Sequence, residues 1–316
     1  MVKVPFIFLN HIQDPCSNNN LFFVLIFLHS ITITSKNKRI RDVWAHNIEE
    51  EMNVISDLIE QYPCVAMDTE FPGVIGQVAG DFPNLSEFKY QNLKFNVDNL
   101  KLIQLGITLS DPEGNLPEGI CTWQFNCKFN INVDTYSRDS VELLTRSGIN
   151  FQKTINEGID FETLGSYFIS SGLVLSENVF WITFHAYYDF GYLIKFLTAK
   201  ILPTLRKDFL QDLNAFFPNI YDIKYLLIPS NNHHYGLQDI ANKVGVKRFG
   251  QQHQAGSDSL ITSQTFFKIK ELFFKNKINK NLKGKVYGLN DEDDINEVSS
   301  TSENKSSLNK DDNKEN

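Results

Sequence analysis

The sequence VAMDTE, residues 65–70, constrains the fold most because an apolar run leads directly into two acids. Its first half predicts a buried strand. Side chains two residues apart on a strand share a face, so Asp68 and Glu70 are expected to stand side by side. Two carboxylates this close repel each other unless a cation neutralises them, and hard divalent cations prefer carboxylate oxygens. This stretch alone also leaves open a strand that runs into a solvated turn, which Pro72-Gly73 favours.

Size and composition indicate an intracellular type of globular protein. The chain has 316 residues, is 42% hydrophobic and contains 26 Phe, which is enough for a sizeable core. Its four cysteines form no C-x-x-C pair, so a zinc knuckle or a disulfide framework is not expected. The net charge of −8 neither supports nor excludes a phosphodiester substrate, because residues 289–316 alone hold nine Asp or Glu and three Lys.

Three parts are predicted along the chain. Residues 1–38 are an N-terminal extension of uncertain status, residues 39–288 are one domain, and residues 289–316 are a disordered acidic tail with few large apolar residues. The extension contains LFFVLIFLHSITIT, an apolar run that is short for a membrane span of about 20 residues. We expect no membrane partner, although a signal peptide, an extra strand or a non-native extension remains open for this run.

Hydrophobic spacing in the central part predicts a mixed α/β domain. EEEMNVISDLIEQY has helical spacing, and KLIQLGITLS with GICTWQFNCKF forms a hairpin candidate around a turn rich in Pro and Gly. NVFWITFHAYYDFGYLIKFLT runs from a strand into a helix, NIYDIKYLL is a strand or a helix start, and GSDSLITSQTFFKIKELFF is a long helix.

Further candidate ligands lie at the edges of two later elements. Asp189 follows an aromatic strand at an expected helix start, where an N-cap aspartate is the structural alternative. Asp258 lies in the expected first turn of the long helix, where acids are favourable in any case. His253 precedes it in a loop and is suited to act as a base near neutral pH. Neither stretch is decisive alone.

Taken together, these residues resemble the DEDD exonuclease pattern in its His variant, and several motifs resemble one family within it. DTEFPGV, FHAYYDFGYLIK, FFPNIYDIKYL and QHQAGSDSLIT are similar to the Caf/Pop-type catalytic deadenylase subunit of the Ccr–Not complex. The resemblance covers about residues 41–289. Tyr187, Gln77-Val78 and Gln251 depart from the family pattern.

The resemblance implies an RNase H-like fold, with a central mixed sheet flanked by helices. It implies that Asp68, Glu70, Asp189 and Asp258 hold two divalent metal ions, Mg or Mn, and that His253 is the general base. The implied activity is poly(A)-specific 3′–5′ exoribonuclease, which releases 5′-AMP. The implied partners are poly(A) RNA, the Ccr–Not scaffold subunit and a second deadenylase, and the implied location is the cytoplasm and nucleus.

Two other functions remain open from the sequence. One is a general 3′–5′ exonuclease on other RNA or DNA, and the other is a catalytically weak adaptor subunit of the same complex. Three further side chains are expected to be structural: Phe71 in packing, His185 as a hydrogen-bonded core residue and Asp222 as a hydrogen-bond acceptor. The lysine-rich run at 268–285 is interpreted as a solvated helix end or as a phosphate contact.

Overall fold

A six-stranded mixed sheet organises residues 39–290, the part of the chain that this computed structural model describes. The strands are β1 Ile40–Val43, β2 Cys64–Glu70, β3 Gln104–Ser110, β4 Thr122–Asn126, β5 Phe180–Thr183 and β6 Ile220–Asp222, in the order β1-β4-β3-β2-β5-β6. β3 is antiparallel to both of its neighbours, and the other three pairs are parallel. The predicted RNase H-like mixed sheet is confirmed.

Ten α-helices occur among the described residues. They are α1 Ile48–Leu58, α2 Leu85–Asn99, α3 Arg138–Arg146, α4 Phe151–Glu157, α5 Phe161–Ser170, α6 Tyr187–Thr198, α7 Arg206–Phe216, α8 Ile223–Leu226, α9 Leu237–Lys243 and α10 Ala255–Phe274. α10 packs across β2 and β3, whereas α2 and α5 pack against α6. Within residues 39–290, no helix has the length and apolarity that a membrane crossing requires.

The alternation of side chains along β2 separates two buried clusters. Val65 and Met67 belong to a cluster that includes residues of α1, α2 and α6. Ala66 belongs to a second cluster, which includes Phe266 of α10. Because side chains along a strand alternate with a period of two, those of Asp68 and Glu70 lie on the same face as Ala66, which is the face that α10 covers. The prediction that the two acids share a face is confirmed.

Most of the predicted elements are present, and the hairpin pairs as expected. β3 and β4 are antiparallel, with Leu105 opposite Phe125. NIYDIKYLL is both a strand and a helix, since β6 passes directly into α8 at residue 223. The sequence patterns did not predict β1 or the helices α2, α4, α5 and α7 as individual elements. β1 is only four residues long and lies at the sheet edge, so it has little periodic pattern.

The C-terminal boundary of the domain lies beyond the predicted one. Residue 289 was assigned to the acidic tail, but Leu289 is fully buried in the main core. Ser86 Oγ donates to the carbonyl of Asn290, which holds the same segment against α2. A single leucine before an acidic run gives no periodic signal, which explains the error. The predicted extension at 1–38 and the rest of the predicted tail, 291–316, lie outside the described residues.

Gly106 on β3 lets α10 approach the sheet at the place where β2 carries its first acid. It is paired with Asp68 in the sheet register. A Cβ atom at position 106 would lie 2.0 Å from the carbonyl oxygen of Ala255, the first residue of α10. Backbone atoms cannot yield as a flexible side chain does, so any larger residue would push the start of α10 outward.

We predict that Gly106→Ala lowers the free energy of unfolding by about 3 kcal/mol, the upper end of overpacking costs. Chemical denaturation of the two proteins measures this difference. Gly236→Ala is the control, because its added Cβ would meet nothing nearer than 3.6 Å. Equal stability of the Gly106→Ala and Gly236→Ala proteins would contradict the close approach of α10.

Candidate active site

Three carboxylates from distant parts of the chain meet at the end of β2. Asp68, Glu70 and Asp258 each offer one oxygen, and these oxygens lie within 4.8 Å of one another. The first two lie within the last three residues of β2, and Asp258 lies in the first turn of α10. The fold therefore brings together three of the predicted site residues, because α10 covers the face of β2 that carries the two acids.

The electrostatics of this carboxylate cluster favour a bound cation. Burial raises the pKa of both Asp68 and Glu70 well above the usual range, and the charges of Asp258 and Asp189 raise it further. A group with a raised pKa is poorly compensated in its charged form, so it takes up protons or cations readily. Hard carboxylate oxygens suit Mg²⁺ and Mn²⁺. The donor set fits the divalent ions that the sequence predicts.

Asp189 lies beside this cluster and is held by β2 itself. Its Oδ1 accepts hydrogen bonds from the backbone N–H of Thr69 at 2.9 Å and from Thr69 Oγ1 at 2.7 Å. Burial raises its pKa to about 6, against the effect of these hydrogen bonds. Ala186 is the N-cap of α6, so the alternative of Asp189 as an N-cap is wrong. Asp189 is not one of the three mutually close acids, but it raises the pKa of two of them.

The loop before α10 places His253 next to Asp258. The backbone N–H of His253 donates to Asp258 Oδ2 at 2.8 Å, and the residue has a left-handed φ of 61°. A left-handed conformation is uncommon for residues other than glycine, so the hydrogen bond helps to hold the loop in an otherwise unfavourable state. His253 is thus fixed beside the carboxylate cluster through its main chain.

Arg248 is a residue of this site that the sequence analysis did not predict. Its Nη1 donates to Asp258 Oδ1 at 2.6 Å and to Ser257 Oγ at 3.0 Å, and its Nε donates to Gln238 Oε1 at 2.6 Å. Its charge lowers the pKa of Asp68 and Glu70, opposing the burial and repulsion. It lies in an irregular loop with no periodic pattern. Its position in KRFG, just before the His253 loop, is the one feature of the sequence that could have predicted it as a site residue.

The side chains that were expected to be structural have structural contacts. Asp222 is fully buried and accepts backbone hydrogen bonds, including one from His185 at 2.9 Å. His185 packs against the ring of Tyr287, and burial lowers its pKa to about 4. The ring of Phe71 stacks on that of Tyr188 with 5.4 Å between centroids. These observations agree with the structural interpretation of Phe71 and Asp222. His185 is half-buried and is held by its backbone N–H, so it is not the hydrogen-bonded core side chain that was expected.

The positions that depart from the family pattern also have partners within the fold. The ring of Tyr187 contacts those of His185 and Tyr188. Gln251 Nε2 donates to the carbonyl of Arg146, and the N–H of Val78 donates to Asn92 Oδ1. In the lysine-rich run, Lys268 pairs with Glu271 and Lys270 donates to the carbonyl of Pro112.

A partly buried cluster of acids near the end of a strand in an RNase H-like sheet defines a metal-dependent nuclease. The model of the CAF1 family ribonucleases matches residues 43–166 and 169–266. The chain belongs to this family.

The similar proteins agree with that assignment. The chain is 49% identical over 257 residues to poly(A) ribonuclease pop2 of Schizosaccharomyces pombe, covering 81% of this chain and 77% of the relative. It is 46% identical over 266 residues to an Arabidopsis thaliana protein described as probable CCR4-associated factor 1 homolog 7, covering 82% and 96%.

The similar solved structures include two of CAF1-type proteins. The Mg²⁺- and Mn²⁺-bound form of S. pombe Pop2p has a TM-score of 0.78 at 49% identity, covering 80% of this chain and all of that one. Yeast CAF1, co-crystallised with the NOT1 MIF4G domain, has a TM-score of 0.66 at 34% identity, covering 78% of this chain and 96% of that one.

We predict that Arg248→Met destabilises the metal-free protein by about 3 kcal/mol, because it leaves Asp258 buried without its counter-charge. Added Mn²⁺ should recover part of this loss, since the ion then compensates the carboxylates. Thermal denaturation in chelator and in Mn²⁺ measures both effects. Arg138→Met is the control, because that arginine pairs with Glu142 at the exposed surface. A loss that Mn²⁺ leaves unchanged would contradict this compensation.

We also predict that Mn²⁺ binds more weakly at about pH 5.5 than at about pH 7.5, because the ligands must lose protons to bind it. The pKa of Asp189 is raised to about 6, and those of Asp68 and Glu70 are raised well above their usual range. Protons therefore compete with the ion below these values. Titration calorimetry in buffers of different ionisation enthalpy should show proton release on binding. Equal affinity at both pH values, without proton release, would contradict the prediction.

Proposed function

We propose that this chain is a poly(A)-specific 3′–5′ exoribonuclease that shortens mRNA poly(A) tails and releases 5′-AMP. The observation that carries the proposal is the cluster of Asp68, Glu70 and Asp258, with oxygens within 4.8 Å, in a member of the CAF1 ribonuclease family. A relative that is 49% identical is a poly(A) ribonuclease, which supports the substrate.

Asp68, Glu70 and Asp258, together with the neighbouring Asp189, would hold the two divalent ions. When bound, such ions activate a water for attack on phosphorus and stabilise the leaving oxygen. The protein supplies the geometry. β2 fixes two ligands on one face, Thr69 holds Asp189 by two hydrogen bonds, and Arg248 with the His253 backbone orients Asp258.

His253 would be the general base that takes the proton from the attacking water. Its loop is joined to Asp258 by a hydrogen bond, so the base and the ligand are positioned together. Histidine is the side chain that most often serves as a general base near neutral pH.

We further propose that the chain acts within a Ccr–Not assembly, with the scaffold subunit and a second deadenylase as partners. The similar yeast CAF1 was co-crystallised with the NOT1 MIF4G domain, and the Arabidopsis relative is described as CCR4-associated. Residence in the cytoplasm and nucleus is a further proposal that follows from this assembly, and fluorescence microscopy of the tagged chain would test it.

The test uses the purified chain and an RNA that ends in about 20 adenosines, enough to span a single-strand binding site. We predict shortening in Mg²⁺ or Mn²⁺, no shortening in chelator, and a stall at the first non-adenosine. Asp68→Asn should reduce the rate by more than about a hundredfold, because even outer neighbours of metal ligands cost up to that factor. Asp139→Asn is the control, since Asp139 is an exposed aspartate in the first turn of α3.

The outcomes separate the alternatives. Equal degradation of poly(A) and other homopolymers would indicate a general exonuclease and overturn the poly(A) specificity. Intact RNA with either metal, for wild type as well as for Asp68→Asn, would overturn the enzymatic proposal and favour the adaptor role.

A further inference from the structure

A single buried carboxylate organises the surface at the end of β5 and β6. Asp222 Oδ1 accepts the backbone N–H groups of His185 and Lys224, each at 2.9 Å, and its Oδ2 accepts that of Tyr287 at 3.0 Å. These residues come from three separate segments of the chain. The hydrogen bonds therefore fix their backbones, and so the starting points of their side chains, relative to one another.

The ammonium group of Lys224 lies among aromatic rings. It is 5.3 Å from the centroid of the Tyr287 ring and 5.8 Å from that of Phe184. Among residues 39–290, no hydrogen-bond acceptor or ion-pair partner is found for this ammonium. Burial lowers its pKa, and the charge of Asp222 acts against this from beyond ion-pair distance. A half-buried cation without an acceptor is a candidate anion contact.

Two histidine rings extend this arrangement. The Tyr287 ring lies 5.1 Å from that of His185 and 5.9 Å from that of His233, measured between centroids. His233 Nδ1 is shielded from solvent and has no partner among the described residues. Burial, with smaller contributions from the charges of Lys224 and Lys89, lowers the pKa of His185 to about 4, so this ring is neutral at pH 7. We call His185, Lys224, His233 and Tyr287 the Lys224 cluster.

The Lys224 cluster lies beside the carboxylate cluster. β5 and β6 run parallel to β2, so the C-terminal ends of all three strands point to the same side of the sheet. His185 precedes Asp189 by four residues, and the charge of Asp222 raises the pKa of Asp189. A positive and aromatic surface therefore borders a strongly acidic one, and a chain that carries phosphates and bases would contact both.

We propose that the Lys224 cluster binds one nucleotide of single-stranded RNA next to the scissile bond, with Lys224 on a phosphate and an aromatic ring against the base. Aromatic stacking combined with a cation on the backbone is how proteins bind single strands. This inference rests on the proposed ribonuclease function and adds a substrate subsite outside the metal ligands.

The test measures the binding of fluorescent A20 and U20 RNA by anisotropy, in chelator so that no cleavage occurs, over a series of salt concentrations. Lys224→Met keeps the apolar stem over the rings and removes the charge. The slope of log K against the logarithm of the salt concentration should become shallower by about 0.7, which is the value for one phosphate contact on a single strand. Affinity near 0.1 M salt should fall about fivefold for both RNAs, because a phosphate contact is independent of sequence.

Two further variants separate binding from general destabilisation. Lys224→Arg should restore the salt dependence, because it restores the charge. Lys153→Met is the matched control, since Lys153 also lies over an aromatic ring, that of Trp44 at 4.0 Å, but on the helix α4. It should leave RNA binding unchanged. In the cleavage assay with metal, Lys224→Met should raise KM while kcat changes little.

The results distinguish this proposal from the proposed function. If folded Lys224→Met binds RNA with wild-type affinity and salt slope while the wild type shortens poly(A), the subsite is overturned and the deadenylase function stands. If the wild type cleaves no RNA with either metal, the proposed function fails, whatever the binding data show.

Discussion

Repulsion between closely spaced, partly buried carboxylates is the constraint around which the site is built. Asp68 and Glu70 stand on one face of β2, and α10 brings Asp258 to the same place. The fold provides one arginine and a few N–H and O–H donors against this charge, which is not enough to restore ordinary pKa values. A buried charge without full compensation is costly. The surrounding structure therefore has to hold the acids together, and this shortfall is also what makes them ligands for cations.

The topology of the sheet explains how residues so distant in sequence meet. β2, β5 and β6 are parallel, so residues just beyond their C-terminal ends lie close together on one side of the sheet. Asp189 follows β5, and Asp222 ends β6. Side chains at the ends of neighbouring strands can evolve separately while the strands remain core elements, because the loops beyond them carry the function. These two acids have different roles: Asp189 lies beside the carboxylate cluster and raises the pKa of Asp68 and Glu70, whereas Asp222 holds the neighbouring surface in place.

Local pattern predicted the elements with strong periodicity and failed where long-range contacts decide. β2, the hairpin and α10 follow from apolar runs or helical spacing. The acids near element ends were predicted as a set because together they resemble the DEDD exonuclease pattern. Arg248 was missed because its role depends on Gln238 and Asp258, which meet it only in the folded chain. Leu289 was assigned to the tail for the same reason: its burial comes from distant helices rather than from its charged neighbours.

The contacts of residues 287–290 affect the order in which the domain folds during synthesis. Tyr287 binds Asp222, and Asn290 receives a hydrogen bond from Ser86, a contact across 204 positions. Synthesis proceeds from the N-terminus, and contacts between distant residues form only when both have left the ribosome. The surface at the C-terminal ends of β5 and β6 is therefore incomplete until nearly the whole domain has emerged. A nascent chain that lacks residues 287–290 has the elements that hold the carboxylate cluster, but Asp222 lacks the Tyr287 backbone that it binds, so the surface beside the cluster is completed last.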